Sequence, residues 1–197
     1  MISDSNRFEK AIQKFDHKNG QDPNRETDNG KEYPKELLYA QRMSEWLDRI
    51  DHQASEPLQL AARSQHICRW TIPRESYPMD RKGYLLWRTE LKKFHADKAS
   101  GILEECGYEQ ATIDRVKSLI LKQRMKTDPE SQALEDVVCL VFLEYYFEDF
   151  MAKHEPEKVV SIVRKTWNKM SESGQRHALD LKLGNESNKL IARALNE

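Results

Sequence analysis

The chain has few of the features that mark a secreted or membrane-spanning protein. Its three cysteines, Cys68, Cys106 and Cys139, form no CxxC pair, and their number is odd. We therefore predict reduced thiols in the core of a cytoplasmic protein. No apolar run reaches the length of a membrane span, and the N-terminal segment MISDSNRFEK contains no apolar signal core. These absences predict a protein with no membrane partner.

A net charge of one sign is also missing. The 32 basic residues nearly balance the 33 acidic ones, so charge gives no clear case for a nucleic-acid partner. The chain shows no strand-like alternation of polar and apolar residues and no internal repeat. Its 197 residues are long enough to bury a core without disulfides. We predict a single all-α domain, a helical bundle that spans residues 1–197; the sequence does not indicate the oligomeric state.

Amphipathic patterns and helix-breaking residues divide the chain into helices. Residues 19–33 are rich in Asn, Asp, Gly and Pro and lack periodicity, so they are predicted to form a loop. Ser55 is the predicted N-cap of the helix that carries LQLAARSQHICRW. The predicted helices run from Asp4 to Lys18, Lys35 to Ile50, Leu58 to Trp70, about Asp80 to Gly107, Glu109 to Met125 and Glu130 to Lys153, with shorter ones after Pro156.

Three of these helices each carry a metal-ligand type of side chain in an apolar row. These residues are His66, His95 and Asp136. Imidazole and carboxylate together suit one divalent ion such as Mn, Fe, Co, Ni or Zn. Such an ion would polarise a bound phosphate and activate a water molecule. The alternative is structural: hydrogen-bonded core histidines, and an aspartate buried beside a basic side chain.

Basic residues cluster around the end of the His66 helix and the segment that follows it. Arg69, Arg74 and Arg88 are the predicted phosphate-binding residues, because a guanidinium binds phosphate in a bidentate manner. Aromatic residues such as Tyr84 and Trp87 lie nearby in sequence and would offer a stacking surface. The set predicts a small phosphorylated, nucleotide-like partner. Its plainer explanation is a charged surface on a chain with 33% charged residues.

From about residue 35 to 144 the chain resembles the HD-domain metal-dependent phosphohydrolases. The segments that carry this resemblance are YAQRMSEWL, LQLAARSQHI, ELKKFHADKASGILEECGY and LEDVVCLVFL. It implies an HD-like core over residues 35–150 and a C-terminal helical extension over 151–197. It also places His66, His95 and Asp136 at ligand positions of that family.

The chain departs from the HD pattern at three positions. Tyr39 stands where the first ligand histidine is expected, Ile67 where the aspartate of the His-Asp pair belongs, and Lys122 near a further histidine position. An ammonium group at that place would repel a second metal ion. The resemblance therefore implies one metal or none. In a catalytic form, Lys122 and Tyr39 would assist the leaving group or stabilise oxyanion charge.

A closer resemblance covers residues 7 to about 181. The chain is similar to an uncharacterised family catalogued as domain of unknown function 4202. The segments that carry the likeness are PKELLYAQRMSEWL, QHICRWTIPRESYPMDRKGYLLWR, FHAD, LEDVVCLVFLEYYFEDF and KTWNKMSESG. This family implies no activity.

Two functions follow as expectations. The first is an HD-like domain that binds a small phosphorylated ligand and hydrolyses it with one divalent metal. The second is a non-catalytic ligand-binding or protein-interaction module that has lost the metal site. A third, weaker hypothesis is a mixed-valence di-iron oxygenase, which needs more histidine ligands than the sequence offers.

Overall fold

A computed structural model describes residues 4–125 and 127–196 of the chain, and it confirms the all-α class. The chain divides into two compact units, Met1–Met125 and Lys126–Glu197, which we call unit 1 and unit 2. The prediction of a single domain stays a prediction. No described helix combines the length and apolarity that a membrane crossing requires.

Unit 1 contains five helices and a hairpin within its described residues. Their bounds are α1 Asp4–Asn19, β1 Arg25–Asp28, β2 Lys31–Pro34, α2 Lys35–Ile50, α3 Glu56–Ser64, α4 Arg81–Glu105 and α5 Gln110–Ile120. Helix α3 packs against α1, α2 and α5, and α4 packs against α1 and α5. Fully buried side chains from these helices, such as Phe15, Met43, Leu60, Leu103 and Leu119, form the core. The apolar helix faces therefore meet around α3.

Local signals start the helices of unit 1 where the sequence suggests. Pro34 directly precedes α2, and the Ser55 hydroxyl accepts a hydrogen bond from the Leu58 N–H at the start of α3. The Asp80 carboxylate accepts one from the Gly83 N–H at the start of α4. Each capping side chain satisfies an N–H group that has no partner within the helix. Ser55 is thus confirmed as an N-cap.

The predicted loop at residues 19–33 instead contains most of a β-hairpin. Strands β1 and β2 pair antiparallel around Asn29 and Gly30, which both have positive φ angles, 48° and 76°. Asn-Gly is a typical two-residue hairpin turn, so the signal was present in the sequence. The buried Arg42 of α2 forms ion pairs with Glu26 and Asp28. These contacts fasten the hairpin to α2.

The helix predicted to run through Trp70 ends earlier, at Ser64. A series of turns follows, and Cys68 adopts a left-handed conformation with φ of 53° before a 3₁₀ turn at Arg69–Thr71. The Asn19 side-chain oxygen accepts the hydrogen bond of the Cys68 N–H, which stabilises this path. His66 therefore lies in a turn and, contrary to the prediction, does not share a helix face with Leu58.

Unit 2 contains five helices within its described residues. Their bounds are α6 Pro129–Val141, α7 Phe147–Ala152, α8 Pro156–Trp167, α9 Glu172–Leu179 and α10 Asn185–Asn196. A π-helical turn at Phe142–Tyr146 joins α6 to α7. Helix α6 packs against α9, while α10 packs against α7 and α8. Buried Leu134, Val137, Leu140, Phe147 and Val163 contribute to the core of this unit.

Candidate functional site

The two predicted ligand histidines of unit 1 lie side by side. Helix α4 carries His95, the turn after α3 carries His66, and their ring centroids are 5.8 Å apart. The Tyr39 ring of α2 stacks on His66, with centroids 4.0 Å apart and planes inclined by 11°. Tertiary packing thus brings together three residues that the sequence predicts as functional.

His95 is a neutral imidazole with a defined tautomer. Its Nδ1 lies 2.8 Å from the carbonyl oxygen of Ile67, and a carbonyl can only accept, so Nδ1 carries the proton. Burial is the main cause that lowers the pKa of His95 to about 3, and the neighbouring His66 lowers it further. Nε2 is therefore unprotonated near neutral pH. It is buried and has no hydrogen-bond partner among the residues that the structure describes.

His66 lies in a strongly positive environment. Burial lowers its pKa well below the usual value, and the charges of Arg69, Arg88, Lys122 and Lys35 add to this effect in that order. The His66 side chain still keeps 28% of its surface exposed. An ion that approaches from solvent would therefore meet a neutral imidazole surrounded by cations, an arrangement that favours anions.

Glu36 is the functional candidate that sequence analysis missed. Its side chain is buried, with Oε2 at 3.4 Å from His66 Nδ1 and Oε1 at 3.6 Å from Arg69 NH1. Burial raises the pKa of Glu36, while the charges of Arg69 and His95 act in the opposite direction. The sequence did contain a signal, because Glu36 precedes Tyr39 by three residues and so shares its helix face. We call Glu36, Tyr39, His66, Arg69 and His95 the His66 site.

Of the three predicted arginines, Arg69 belongs to the His66 site and the charge of Arg88 acts on it. The Arg69 guanidinium lies over the Trp87 ring at 5.0 Å from its centroid. The exposed Arg88 lies with NH1 at 3.3 Å from the Tyr84 hydroxyl oxygen. The rings of Tyr84 and Trp87 are 5.9 Å apart. The predicted juxtaposition of guanidinium groups and aromatic rings is therefore present on this side of α4.

Arg74 is engaged with the backbone of its own loop. Its NH1 donates to the Tyr77 carbonyl at 3.0 Å, and NH2 donates to the carbonyls of Pro78 at 2.6 Å and Asp80 at 3.2 Å. These bonds hold the segment between the 3₁₀ turn and α4. The structure therefore gives Arg74 a role in shaping the loop, and its predicted contact with substrate stays a prediction.

Lys122 lies in the turn that follows α5, where it adopts a left-handed backbone conformation with φ of 58°. Its N–H donates to the Leu119 carbonyl at 2.9 Å. The charge of Lys122 contributes to the lowered pKa of His66. Lys122 thus contributes positive charge to the surroundings of the His66 site, and its predicted catalytic role stays a prediction.

Asp136 belongs to unit 2, where its carboxylate organises the start of α9. Oδ1 accepts hydrogen bonds from the Ser171 N–H at 2.8 Å and from the Gln132 side chain at 2.9 Å. Oδ2 accepts one from the Ser171 hydroxyl. These contacts give Asp136 a structural role, and its predicted place in a metal-ligand set stays a prediction.

Replacing Gly174 with alanine is expected to loosen α9. An added Cβ would lie 2.7 Å from Asp136 Cγ and 2.8 Å from Oδ1, so the carboxylate would have to leave its hydrogen-bonded position. The loss of these bonds is expected to cost about 1–3 kcal/mol. Hydrogen–deuterium exchange measured by mass spectrometry should show faster exchange in peptides that cover residues 171–179. Gly101→Ala, whose Cβ would meet nothing within 4 Å, is the control; equal exchange in both variants would contradict the structural role of Asp136.

The His66 site contains side chains of the types that bind a divalent metal. Two neutral imidazoles and a carboxylate are suitable ligand types. Within residues 4–125 and 127–196, however, no three His, Cys, Asp or Glu side chains are arranged to hold an ion. The cations around His66 also oppose a further positive charge. The arrangement favours an anion, and the metal ion stays a prediction.

A cavity of about 260 Å³ lies elsewhere in unit 1 and shares no residue with the His66 site. It is lined by Phe8, Ile12, Ser44, Leu47, Asp48, Asp51, His52, Ala54, Gln59 and Arg63. Arg63 there is paired with Asp16 at 2.7 Å. The cavity lacks the convergence of neutral imidazoles and cations, so we place the candidate function at the His66 site.

Comparisons with known proteins place the chain in a family without identifying an activity. No curated protein and no solved structure matches it. A family described as a domain of unknown function matches residues 9–191, which is nearly the whole chain. The chain therefore belongs to the DUF4202 family.

Proposed function

We propose that unit 1 binds a small phosphorylated anion at the His66 site. The observation that carries this proposal is the placement of the partly exposed, neutral His66 and the Arg69 guanidinium on the same carboxylate, at 3.4 Å and 3.6 Å. The positive charges of Arg69, Arg88, Lys122 and Lys35 all lower the pKa of His66. A cluster of partly buried positive charges attracts anions, and a bound anion offsets part of the electrostatic repulsion among the cations. The ligand would approach from the side on which His66, Arg69 and Arg88 reach solvent.

Each group has a suitable chemical role for a phosphate. Arg69 and Arg88 offer planar guanidinium groups, which bind phosphate oxygens through paired N–H donors. Lys122 contributes charge, and Tyr39 holds the His66 ring in place by stacking. Such a set selects a compact oxyanion over a neutral molecule.

Aromatic rings beside the arginines support a nucleotide-like ligand in particular. Tyr84 keeps 42% of its surface exposed and lies next to both Arg88 and Trp87. A purine or pyrimidine base could stack on the exposed Tyr84 ring while the phosphate contacts the guanidinium groups. Base–aromatic stacking contributes about 1–3 kcal/mol in single-strand recognition, enough to favour a nucleotide over inorganic phosphate.

The decisive experiment is calorimetric titration of the full-length protein with inorganic phosphate and with nucleoside monophosphates at about pH 6, where a large fraction of both anions carries a P–O–H group. We expect a nucleoside monophosphate to bind more tightly than phosphate alone. Arg69→Gln should weaken binding at least about tenfold, the usual effect of losing a charge-assisted hydrogen bond. Arg25→Gln removes an equally basic but exposed hairpin residue and should bind as the wild type does. Absence of binding to the wild type, or equal binding by Arg69→Gln, would refute the proposal.

A hydrolytic form of the proposal uses the same groups. His66 would accept a proton from the water that attacks phosphorus, and Arg69 and Arg88 would stabilise charge on the phosphoryl oxygens. Lys122 or Tyr39 would assist the leaving oxygen. A divalent metal and the likeness to HD-type phosphohydrolases belong to this form, and both stay predictions.

The alternative is a binding module without catalysis. It is favoured by Tyr39, Ile67 and Lys122, which stand where metal-dependent relatives of the HD type would carry ligands. Release of phosphate from bound nucleotides, measured with and without Mn²⁺, Fe²⁺, Co²⁺, Ni²⁺ or Zn²⁺, separates the two forms. Turnover that His66→Ala abolishes supports the enzyme, whereas tight binding without turnover supports the module.

A further inference from the structure

We propose that Glu36 makes the His66 site selective for phosphate over sulfate, by accepting a hydrogen bond from a protonated oxygen of the anion. The proposal rests on the function proposed above, because it requires an anion at this site. It adds a specificity-determining residue and the chemical class of anion that the site accepts, an oxyanion that retains a hydroxyl group.

The Glu36 carboxylate lies between the groups that would contact the anion. Its two oxygens lie at 3.4 Å from the His66 ring and at 3.6 Å from the Arg69 guanidinium, the same two groups that would contact the anion. Both distances exceed the 2.7–2.9 Å of a strong charge-assisted hydrogen bond. The buried carboxylate is therefore close to its partners without a short bond from either, and it retains the capacity to accept one from a ligand.

A carboxylate at the site treats protonated and unprotonated oxygens of an incoming anion differently. An unprotonated oxygen that approaches Glu36 meets another negative charge in a poorly solvated place and is repelled. An oxygen that carries a proton donates a hydrogen bond instead. Inorganic phosphate near neutral pH keeps at least one P–O–H group, whereas sulfate of the same size and shape has none. The site would therefore satisfy Glu36 with one anion and leave it unpaired with the other.

The remaining charges around Glu36 do not distinguish the two anions. Arg69 and Lys35 are cations, and His95 is a neutral imidazole whose Nδ1–H is already donated to Ile67. Cations attract sulfate and phosphate alike when the two have equal charge. Glu36 is the acidic residue among these groups, so discrimination between phosphate and sulfate should depend on its carboxylate.

The test is a calorimetric titration of the full-length protein with sodium phosphate and with sodium sulfate, at about pH 7.5 and matched ionic strength. We expect the wild type to bind phosphate about 10- to 100-fold more tightly, the effect of one satisfied against one unsatisfied buried acceptor. Glu36→Gln keeps the size of the side chain and supplies an amide donor. It should bind sulfate at least about tenfold more tightly than the wild type does, so that the two affinities become similar.

Glu32→Gln is the matched control, because it removes an exposed carboxylate from the neighbouring hairpin. It should discriminate as the wild type does. Equal affinity of the wild type for both anions, or unchanged discrimination by Glu36→Gln, would overturn the role of Glu36. If the wild type binds neither anion, the anion site itself is refuted, an outcome that differs from binding both equally. If Glu36→Gln does not fold, equal affinity of the wild type for the two anions still overturns the proposal.

Discussion

Replacing Gly83 with alanine is expected to destabilise unit 1 by about 1–3 kcal/mol, the usual range for forced overpacking. An ideal Cβ at this position would lie 2.0 Å from the Pro78 carbonyl oxygen and 2.8 Å from the Pro78 carbonyl carbon. Backbone atoms cannot rotate away as a flexible side chain can, so either the loop or the first turn of α4 must shift. Pro78 is held in place, since its carbonyl also accepts a hydrogen bond from Arg74.

Urea unfolding followed by tryptophan fluorescence measures this effect, because Trp46, Trp70 and Trp87 all lie in unit 1. Gly101→Ala is a matched control on the same helix. Its Cβ would meet nothing within 4 Å, so alanine there is expected to stabilise the helix by about 0.5–1 kcal/mol. The close approach of loop and helix would be contradicted if Gly83→Ala were as stable as the wild type. Gly83→Ala should also bind anions less tightly than the wild type, because the shifted helix α4 carries Arg88 and His95.

Unit 1 is expected to lose stability as the pH falls from about 6.5 to 5, owing to its two neutral histidines. In the unfolded chain both histidines take up a proton near pH 6.5, whereas the folded pKa of His95 is about 3 and that of His66 is well below 6.5. The unfolded state therefore binds more protons than the folded state throughout this interval, so the stability of the folded state decreases as the pH decreases. Each pH unit corresponds to ~1.4 kcal/mol per group, so His95 contributes roughly 2 kcal/mol over the interval, and His66 acts in the same direction.

Glu36 acts in the opposite direction. Its folded pKa is raised above 4.5, so the folded state gains a proton before the unfolded state does as the pH falls. That uptake stabilises the folded form and offsets part of the contribution of one histidine. The net loss is therefore expected to be smaller than the sum for both histidines.

Urea unfolding at about pH 7.5 and pH 5 measures the pH effect. His95→Gln retains an N–H for the Ile67 carbonyl but cannot titrate, so it should lose less stability between the two pH values. His52→Gln, at a position whose side chain is 79% exposed, should behave as the wild type does. A wild-type stability that does not change over this interval would refute the neutral buried imidazoles.

Most of the helices could be predicted because their signals are local. Apolar periodicity and caps such as Ser55 depend on residues within one or two turns. The end of α3 at Ser64 could not be predicted in this way. It depends on the left-handed Cys68, whose N–H is bonded to Asn19, 49 residues earlier in the chain. The hairpin was missed although its Asn-Gly signal was present, because its strands lack alternation and are held by Arg42 of α2.

The residues of the candidate site were also predictable only in part. Residue type and spacing singled out His66 and His95, whereas Tyr39 and Lys122 entered only through the resemblance to HD-type proteins. The structure places the rings of Tyr39 and His95 next to that of His66, and the charge of Lys122 lowers the pKa of His66. The sequence did not identify Glu36, because an acidic residue in the first turn of a helix is ordinary there. It also grouped Asp136 with the histidines, although its carboxylate hydrogen-bonds within unit 2.

The sequence by itself determined the all-α class, the family membership and the chemical types of side chain available for a site. These follow from short-range periodicity and from motifs that can be compared residue by residue. Only the tertiary structure decided which charges surround His66 and which carboxylate is nearest to it. The physical reason is that burial and electrostatic interaction depend on distances in space, and residues far apart in sequence become neighbours only when the helices pack.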